Sequence, residues 1–224
     1  MRRQPLPTIA ILIAAASLLA LSSCNEVISQ APLFGRAEAA TAPPIRSGVW
    51  RELSEARCAF DARKPVARWP ACAQGFLIID GTFAEYQVKG GHHALTPVGD
   101  VLLLGGTPMI VQFGPGSGDL RASAPSDTPY SYAGVRVTRS DDRGRIVAFS
   151  WWTVQCGPPP PEDAKKPDGS PGRAGTLEPL PGLTMDKDGD NCTTTSPQAV
   201  RDAAAASETW ASPTAFVWVR DGDI

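Results

Sequence analysis

An acidic hexapeptide near the carboxyl end carries the clearest metal-ligand chemistry in the chain. Residues 186–191 read Asp-Lys-Asp-Gly-Asp-Asn, which places the carboxylates of Asp186, Asp188 and Asp190 at alternate positions. Carboxylate oxygens are the ligands that Ca²⁺ prefers, but the EF-hand loop also needs glycine at its sixth position and glutamate at its twelfth. This chain has asparagine and proline there. The three aspartates are therefore weak calcium candidates, and the alternative is an Asp-Gly turn with solvated acids. We expect no other metal and no cofactor.

Groups for nucleophilic or general-base catalysis are sparse. The two histidines, His92 and His93, follow two glycines, and we interpret them as solvated loop residues. A hydrolase can instead use a pair of carboxylates, which needs no histidine. Glu85 with Asp80 or Asp100 would serve, although nothing in the spacing distinguishes these acids from the others. No catalytic residue is assigned, and a secreted carboxylate-dependent hydrolase is the alternative function.

Two adjacent tryptophans, Trp151 and Trp152, lie within the predicted strand 145–155. Aromatic side chains can stack on a sugar or an apolar ligand. Neighbouring residues of a strand point to opposite faces, so only one of the two can face a given cavity. Packing in the core is the alternative role for both.

Four cysteines follow the amino-terminal region, namely Cys58, Cys72, Cys156 and Cys192. An even number in an exported protein indicates disulfides, and four cysteines allow three connectivities. The spacing suggests Cys58–Cys72 and Cys156–Cys192. Zinc binding is the less favoured alternative, because the close cysteine pairs of zinc sites are missing.

The first 24 residues have the composition of an export signal. Arg2 and Arg3 precede an apolar run over residues 9–21, which is too short to span a bilayer. The run ends in Leu21-Ser22-Ser23-Cys24, which resembles the lipobox of bacterial lipoproteins. That resemblance implies removal of a signal peptide over residues 1–23 and acylation of Cys24 with fatty acids such as palmitate. The alternative is an ordinary secretory cut after the Ala-Glu-Ala of residues 37–39.

The lipoprotein resemblance also implies a location and a partner. A doubly acylated protein is held firmly on a membrane, so the lipid bilayer is the first expected partner. Asn25 follows the cysteine, and in enterobacteria an aspartate there often retains the protein at the inner membrane. The expected location is therefore the cell envelope, at the outer membrane and facing the periplasm. The formal net charge is −2 and no basic run follows residue 24, so nucleic acid is not an expected partner.

Composition divides the remaining chain into three parts. Residues 24–47 are rich in alanine and proline and predict a tether between Cys24 and the domain. Residues 48–224 are long enough for a single domain with a core. Within it, residues 157–185 are rich in proline and glycine and predict a surface loop.

The domain is predicted to be mainly β, as a small barrel or a curved sheet of about eight antiparallel strands. The expected strands are 48–53, 76–79, 82–89, 101–104, 109–113, 132–138, 145–155 and 216–220. Asp80-Gly81 predicts a hairpin between the second and third of these strands. Ser196 as N-cap and Pro197 at the first helical position predict one helix, to about residue 210, before the last strand.

Gly48-Val49-Trp50 on the first strand, together with the late helix, resembles features of lipocalins. In that family the tryptophan closes one end of a barrel whose cavity holds small apolar ligands. The alternative is a core tryptophan on an edge strand.

These observations together predict a non-catalytic envelope lipoprotein. Its disulfide-bonded β-domain would bind an envelope protein or a small apolar ligand.

Overall fold

The computed structural model describes residues 25–53, 58–70, 75–79, 82–89, 92–97, 100–114, 129–160 and 178–222. The strands are β1 (Val27–Ser29), β2 (Gly48–Glu52), β3 (Gly75–Ile79), β4 (Thr82–Lys89), β5 (His92–Pro97), β6 (Val101–Leu104), β7 (Met109–Phe113), β8 (Tyr130–Ser140), β9 (Ile146–Thr153), β10 (Thr184–Met185), β11 (Cys192–Thr193) and β12 (Thr214–Arg220). The α-helices are α1 (Arg36–Ala39) and α2 (Pro197–Ser207), with a 3₁₀ helix at Val66–Arg68. The protein is mainly β, and α2 precedes the last strand, as expected.

One sheet contains all twelve of these strands. The main order is β10-β11-β1-β8-β9-β12-β2-β3-β4-β5, and β7 adds to β8 and carries β6. The pairs are antiparallel except β1 with β11, which is parallel. The described strands do not close into a barrel, so the open form of the predicted architecture is the one adopted.

All eight expected strands are present, as β2, β3, β4, β6, β7, β8, β9 and β12. The predicted β3–β4 hairpin pairs Ile79 with Thr82, and its Asp-Gly turn lies outside the described residues. In the β8–β9 hairpin the N–H of Asp141 donates to the carbonyl of Arg145 at 2.9 Å, and Gly144 adopts a φ of 74°. Local sequence signals were therefore sufficient for these pairs.

Four strands were not predicted, namely β1, β5, β10 and β11. β5 contains His92 and His93, so the prediction of a loop there is wrong for the backbone. It pairs with β4 from Ala84 opposite Pro97 to Lys89 opposite His92. The sequence of β5 lacks an apolar alternation, so the strand depends on its neighbour and not on its own pattern.

The amino-terminal segment is part of the folded domain, and the structure corrects the tether expected for residues 24–47. Val27 is fully buried in β1, which lies between β8 and β11. Phe34 is also buried and packs edge-on against Tyr132 with ring centroids 6.1 Å apart. The side-chain oxygen of Gln112 accepts the N–H of Phe34 at 3.1 Å. The alanine and proline content of this segment did not indicate its burial, because the residues that bury Val27 and Phe34 are mostly distant in the sequence.

Helix α2 begins where the sequence predicts. The Ser196 hydroxyl accepts the N–H of Ala199 at 3.2 Å, which satisfies one of the free donors of the first turn. Val200, Ala203 and Ser207 share the predicted inner face and are fully buried. They cover the half of the sheet that contains β1 and β8.

The same face of the other half is covered by the segment after β2. Val49 and Leu77 are fully buried there and pack with Val66 and Trp69. The Trp69 indole donates to the carbonyl of Lys64 at 2.9 Å. One face of the sheet is therefore covered by α2 and by the segment after β2, and described residues of the opposite face line an interior space.

A disulfide joins Cys156 to Cys192, with Cα atoms 5.6 Å apart, which confirms one predicted pairing. It ties the chain after β9 to β11. Cys58 is also disulfide-bonded. Its expected partner, Cys72, lies outside the described residues, as does Cys24, so the Cys58–Cys72 pairing stays a prediction.

Candidate ligand-binding cavity

The uncovered face of the sheet surrounds a cavity of about 610 Å³. Its apolar lining is Ile45, Phe76, Phe83, Leu103, Val111, Phe113, Ala133, Val135, Ile146, Phe149, Trp151 and Phe216. A volume of this size is within the range of roughly 300–1,000 Å³ that is typical of small-molecule sites. Concave shape, apolar walls and size together make this the candidate binding site.

Strong curvature of the sheet creates the cavity. Leu103 of β6 and Phe83 of β4 both line it, although seven strand-to-strand steps separate them in the sheet. In a flat sheet, with strands about 4.8 Å apart, these steps would cover roughly 34 Å. The two strands can reach one cavity of 610 Å³ only because the sheet bends around it.

The wall of the cavity is a connected group of aromatic rings. The ring centroids of Phe76, Phe149 and Trp151 lie 5.2, 5.3 and 5.5 Å from that of Phe216. Offset and edge-to-face contacts of this kind are favourable for aromatic rings. The wall is therefore well packed, and the space beside it is not produced by loosely arranged side chains.

The two adjacent tryptophans lie on opposite faces, as predicted. Trp151 packs edge-on against Phe113 and Phe216 on the cavity side. The indole of Trp152 donates to the carbonyl of Ala204 in α2 at 2.9 Å, on the covered side. Trp151 is consequently the one whose ring is available to a ligand.

Gly48 and Trp50, which carry the Gly-x-Trp pattern, both have structural roles. Gly48 adopts a φ of 133° and passes so close to the carbonyl of Arg220 that a Cβ would collide with it. Trp50 is fully buried, stacks on Phe76, and donates its indole N–H to the carbonyl of Arg46 at 3.0 Å. The tryptophan thus belongs to the core beside the cavity.

One end of the cavity is polar, and we call it the polar rim. Its residues are Glu26, Glu52, Ser131, Thr153, Ser212 and Thr214. Thr153 ends β9 and Thr214 begins β12, and because these strands are antiparallel the two residues lie at the same end of the sheet. Thr153 and Ser212 are exposed, so this end opens to solvent.

The other end of the cavity is apolar. Ile45 and Ile146 line it there, and a parallel backbone bridge joins these two residues. Ile146 is 1 % exposed. The cavity therefore runs from an open polar rim to an apolar end, which suits a ligand with one polar head.

Glu26 is the most unusual residue of the rim. It pairs through its backbone with Gln155, and its N–H donates to the side-chain oxygen of Asn191 at 3.0 Å. Burial raises the pKa of its carboxyl above the usual 4.5. Within the described ranges the carboxylate makes no hydrogen bond or ion pair. A hydrogen-bond donor of a ligand could therefore bind this carboxylate and supply the interaction that the described residues do not.

The acidic hexapeptide forms a tight turn between β10 and β11. The carboxylate of Asp186 accepts the N–H groups of Asp190 and Asn191 at 3.0 and 3.2 Å, and Gly189 has a φ of 69°. In the described part of the chain no three His, Cys, Asp or Glu side chains are grouped as a metal site. The Asp186 carboxylate therefore stabilises the backbone of this turn, and Asp188 lies within the same turn.

Of the acids considered for hydrolysis, only Asp100 has a described side chain, and it does not line the cavity. Asp100 is exposed, Asp80 lies outside the described residues, and Glu85 occupies a position of β4 opposite Phe76. The carboxylates that do line it, Glu26 and Glu52, were not among the candidates. Glu52 was in a predicted strand, and Glu26 was in the supposed tether, so only the pairing of distant strands brings them together.

No protein-family model matches this chain, and searches among curated proteins and among solved structures likewise find no match. Within the described residues no helix is both long and apolar enough to cross a membrane. The cavity and the amino-terminal segment are therefore the features from which a function can be inferred.

Proposed function

We propose that this chain is a non-catalytic lipoprotein of the cell envelope whose β-domain binds a small apolar ligand. The cavity is the observation that carries the proposal. It is enclosed by aromatic and aliphatic side chains, and a few polar groups lie at one end, which is the usual composition of a ligand site. Its described lining includes no histidine, cysteine or lysine. A concave site of this kind favours a small molecule over an envelope protein as the ligand.

The burial of the amino-terminal strand supports processing at Cys24. Asn25 is 5 % exposed, and its carbonyl accepts the N–H of Cys156 at 2.9 Å. A secretory cut after residue 39 would remove β1 and Phe34 and leave their partners in the core without contacts. A cut before Cys24 retains every one of these interactions. The structure thus favours the lipobox over the later cleavage site.

The Cys156–Cys192 disulfide is consistent with the proposed compartment. Disulfides form and persist in oxidising environments such as the bacterial periplasm. We place the domain on the periplasmic side of the outer membrane, in line with Asn25 after the acylated cysteine.

The anchor is tested by the mass of the amino-terminal peptide of the full-length protein isolated from membranes. A diacylated or triacylated Cys24 is expected. An unmodified peptide that begins at residue 40 would contradict the proposal.

Ligand binding is tested with the neutral apolar dye N-phenyl-1-naphthylamine and the full-length protein. Ser131→Phe places a large ring at the rim, and Ser140→Phe makes the same change at an exposed position of the same strand. We expect the added ring of Ser131→Phe to displace part of the dye and so to weaken binding about tenfold, which corresponds to the loss of a modest set of apolar contacts. Ser140→Phe should leave binding unchanged. Equal binding by the two variants would place the dye elsewhere and refute a role for the cavity.

A secreted carboxylate-dependent hydrolase is the second candidate, and one observation favours it. Two carboxylates line the cavity, and the raised pKa of Glu26 is a property required of a general acid. Turnover of any member of a glycoside and ester panel, abolished in Glu26→Gln and in Glu52→Gln, would favour the enzyme over the binding protein.

A further inference from the structure

The polar rim and the proposed anchor are at the same end of the molecule. Glu26 lines the rim and is two residues from Cys24 in the sequence. Two residues of extended chain span at most about 7 Å. Because Asn25 and Glu26 are fixed in the sheet, acyl chains on Cys24 would hold the rim close to the lipid headgroups.

The absence of an extended tether makes this placement specific. A disordered linker of some twenty residues would let the domain turn freely and would place the rim at any angle to the bilayer. Here residues 25–29 instead form hydrogen bonds with β8, β11 and the chain after β9. The attachment point is therefore part of the rigid domain.

The charge of the rim selects the kind of ligand. Glu26 and Glu52 are the carboxylic acids among the described lining residues, and no arginine, lysine or histidine is among them. A ligand with an anionic head would meet repulsion there, whereas an ammonium group can form charge-assisted hydrogen bonds with a carboxylate. The apolar end, lined by Ile45 and Ile146, matches the chain of such a molecule.

We infer that the cavity takes up a single-chain lipid with an ammonium headgroup from the membrane leaflet that holds the anchor, with the head at Glu26 and the chain along Trp151. The inference rests on the proposed function, since it needs both the acylated Cys24 and a ligand-binding cavity. It goes further in naming the class of ligand and the route by which it enters.

The experiment uses full-length protein isolated from membranes and placed in phosphatidylcholine vesicles. The probe is a lysophosphatidylethanolamine whose acyl chain carries bromine, which quenches tryptophan fluorescence on contact. A lysophosphatidylglycerol with the same brominated chain is the matched probe without an ammonium group. Trp151→Phe removes the expected reporter, and Trp69→Phe makes the same change on the covered face.

We expect quenching by the ethanolamine lipid, retained in Trp69→Phe and largely lost in Trp151→Phe. Half-quenching by the glycerol lipid should need about tenfold more probe, as expected for the loss of a charge-assisted hydrogen bond. Glu26→Gln should remove this preference. Equal quenching by the two lipids, or equal loss in both tryptophan variants, would overturn the inference.

The route is tested by the position of the probe. Brominated lipid in the same vesicles as the protein should quench at least about tenfold faster than lipid supplied in separate vesicles, because anchoring raises its effective concentration. Equal rates would show uptake from solution and refute the membrane route. Binding of N-phenyl-1-naphthylamine without any quenching by the lysolipids would refute this inference and leave the proposed function in place. Failure of both the dye and the lysolipids to bind would refute the inference and the proposed function together.

Discussion

Replacement of Phe34 by alanine tests whether the amino-terminal segment is part of the domain. Phe34 is 4 % exposed, packs against Tyr132, and has the guanidinium of Arg201 at 5.1 Å from its ring centroid. A tether would be insensitive to this change, because an aromatic side chain in a solvated linker has no contacts to lose. Arg36→Ala, two residues further on at an exposed position, is the matched control.

The expected magnitude follows from the burial of the ring. Removal of a buried phenylalanine side chain costs about 3–5 kcal/mol, since apolar burial is lost and a cavity remains. Substitutions at exposed positions usually change stability by less than about 0.5 kcal/mol. For a urea dependence of about 2 kcal/mol per molar, Phe34→Ala should lower the unfolding midpoint by about 2 M.

Urea unfolding of both variants and of the wild-type protein is followed by tryptophan fluorescence, without reducing agent. A midpoint for Phe34→Ala within error of that for Arg36→Ala would refute the packing of the segment. It would also restore the secretory cut after residue 39 as an equal alternative.

Three further outcomes are expected. Replacement of both Cys156 and Cys192 by alanine should lower the free energy of unfolding by about 4 kcal/mol, from the loop-entropy relation for their separation of 36 residues; reduction of the wild-type protein should lower it further, because the bridge at Cys58 is then broken as well. Gly134→Ala should lower the melting temperature, at a cost of about 1–3 kcal/mol, because its Cβ would lie within 2.6 Å of three atoms of the Trp152 indole; an unchanged melting temperature would refute this contact. The raised pKa of Glu26 means that its contribution to stability is fully present below its unfolded pKa and is lost as pH rises through the folded value, so the stability of Glu26→Gln relative to the wild-type protein should increase as pH rises above the unfolded pKa of about 4.3. A stability difference that does not vary with pH would contradict this assignment.

Local signals in the sequence predicted the elements that local physics determines. The alternation in residues 82–89 indicated β4, and the pair Ser196-Pro197 indicated the start of α2. In each case a side chain or a turn within a few residues selects the backbone conformation. These elements could be read without knowledge of their partners.

The remaining elements depend on residues far away in the chain. β1 has three residues and β11 has two, too few for any periodic pattern, and each is a strand only because strands distant in the sequence or equally short lie beside it. Glu26 reaches the cavity through its pairing with Gln155. The cavity itself depends on the curvature that brings β4 towards β6, and no short stretch of sequence encodes that curvature.

The pairing of the earliest strands with the latest ones also determines when the domain can fold. The N–H of Glu26 reaches the side chain of Asn191 across 165 residues, and β2 pairs with β12 at the end of the described chain. β1 lacks β11 and β2 lacks β12 until nearly the whole polypeptide is present, and contacts of such sequence separation form slowly. A chain that emerges amino end first can therefore complete its sheet only after β12 has been released.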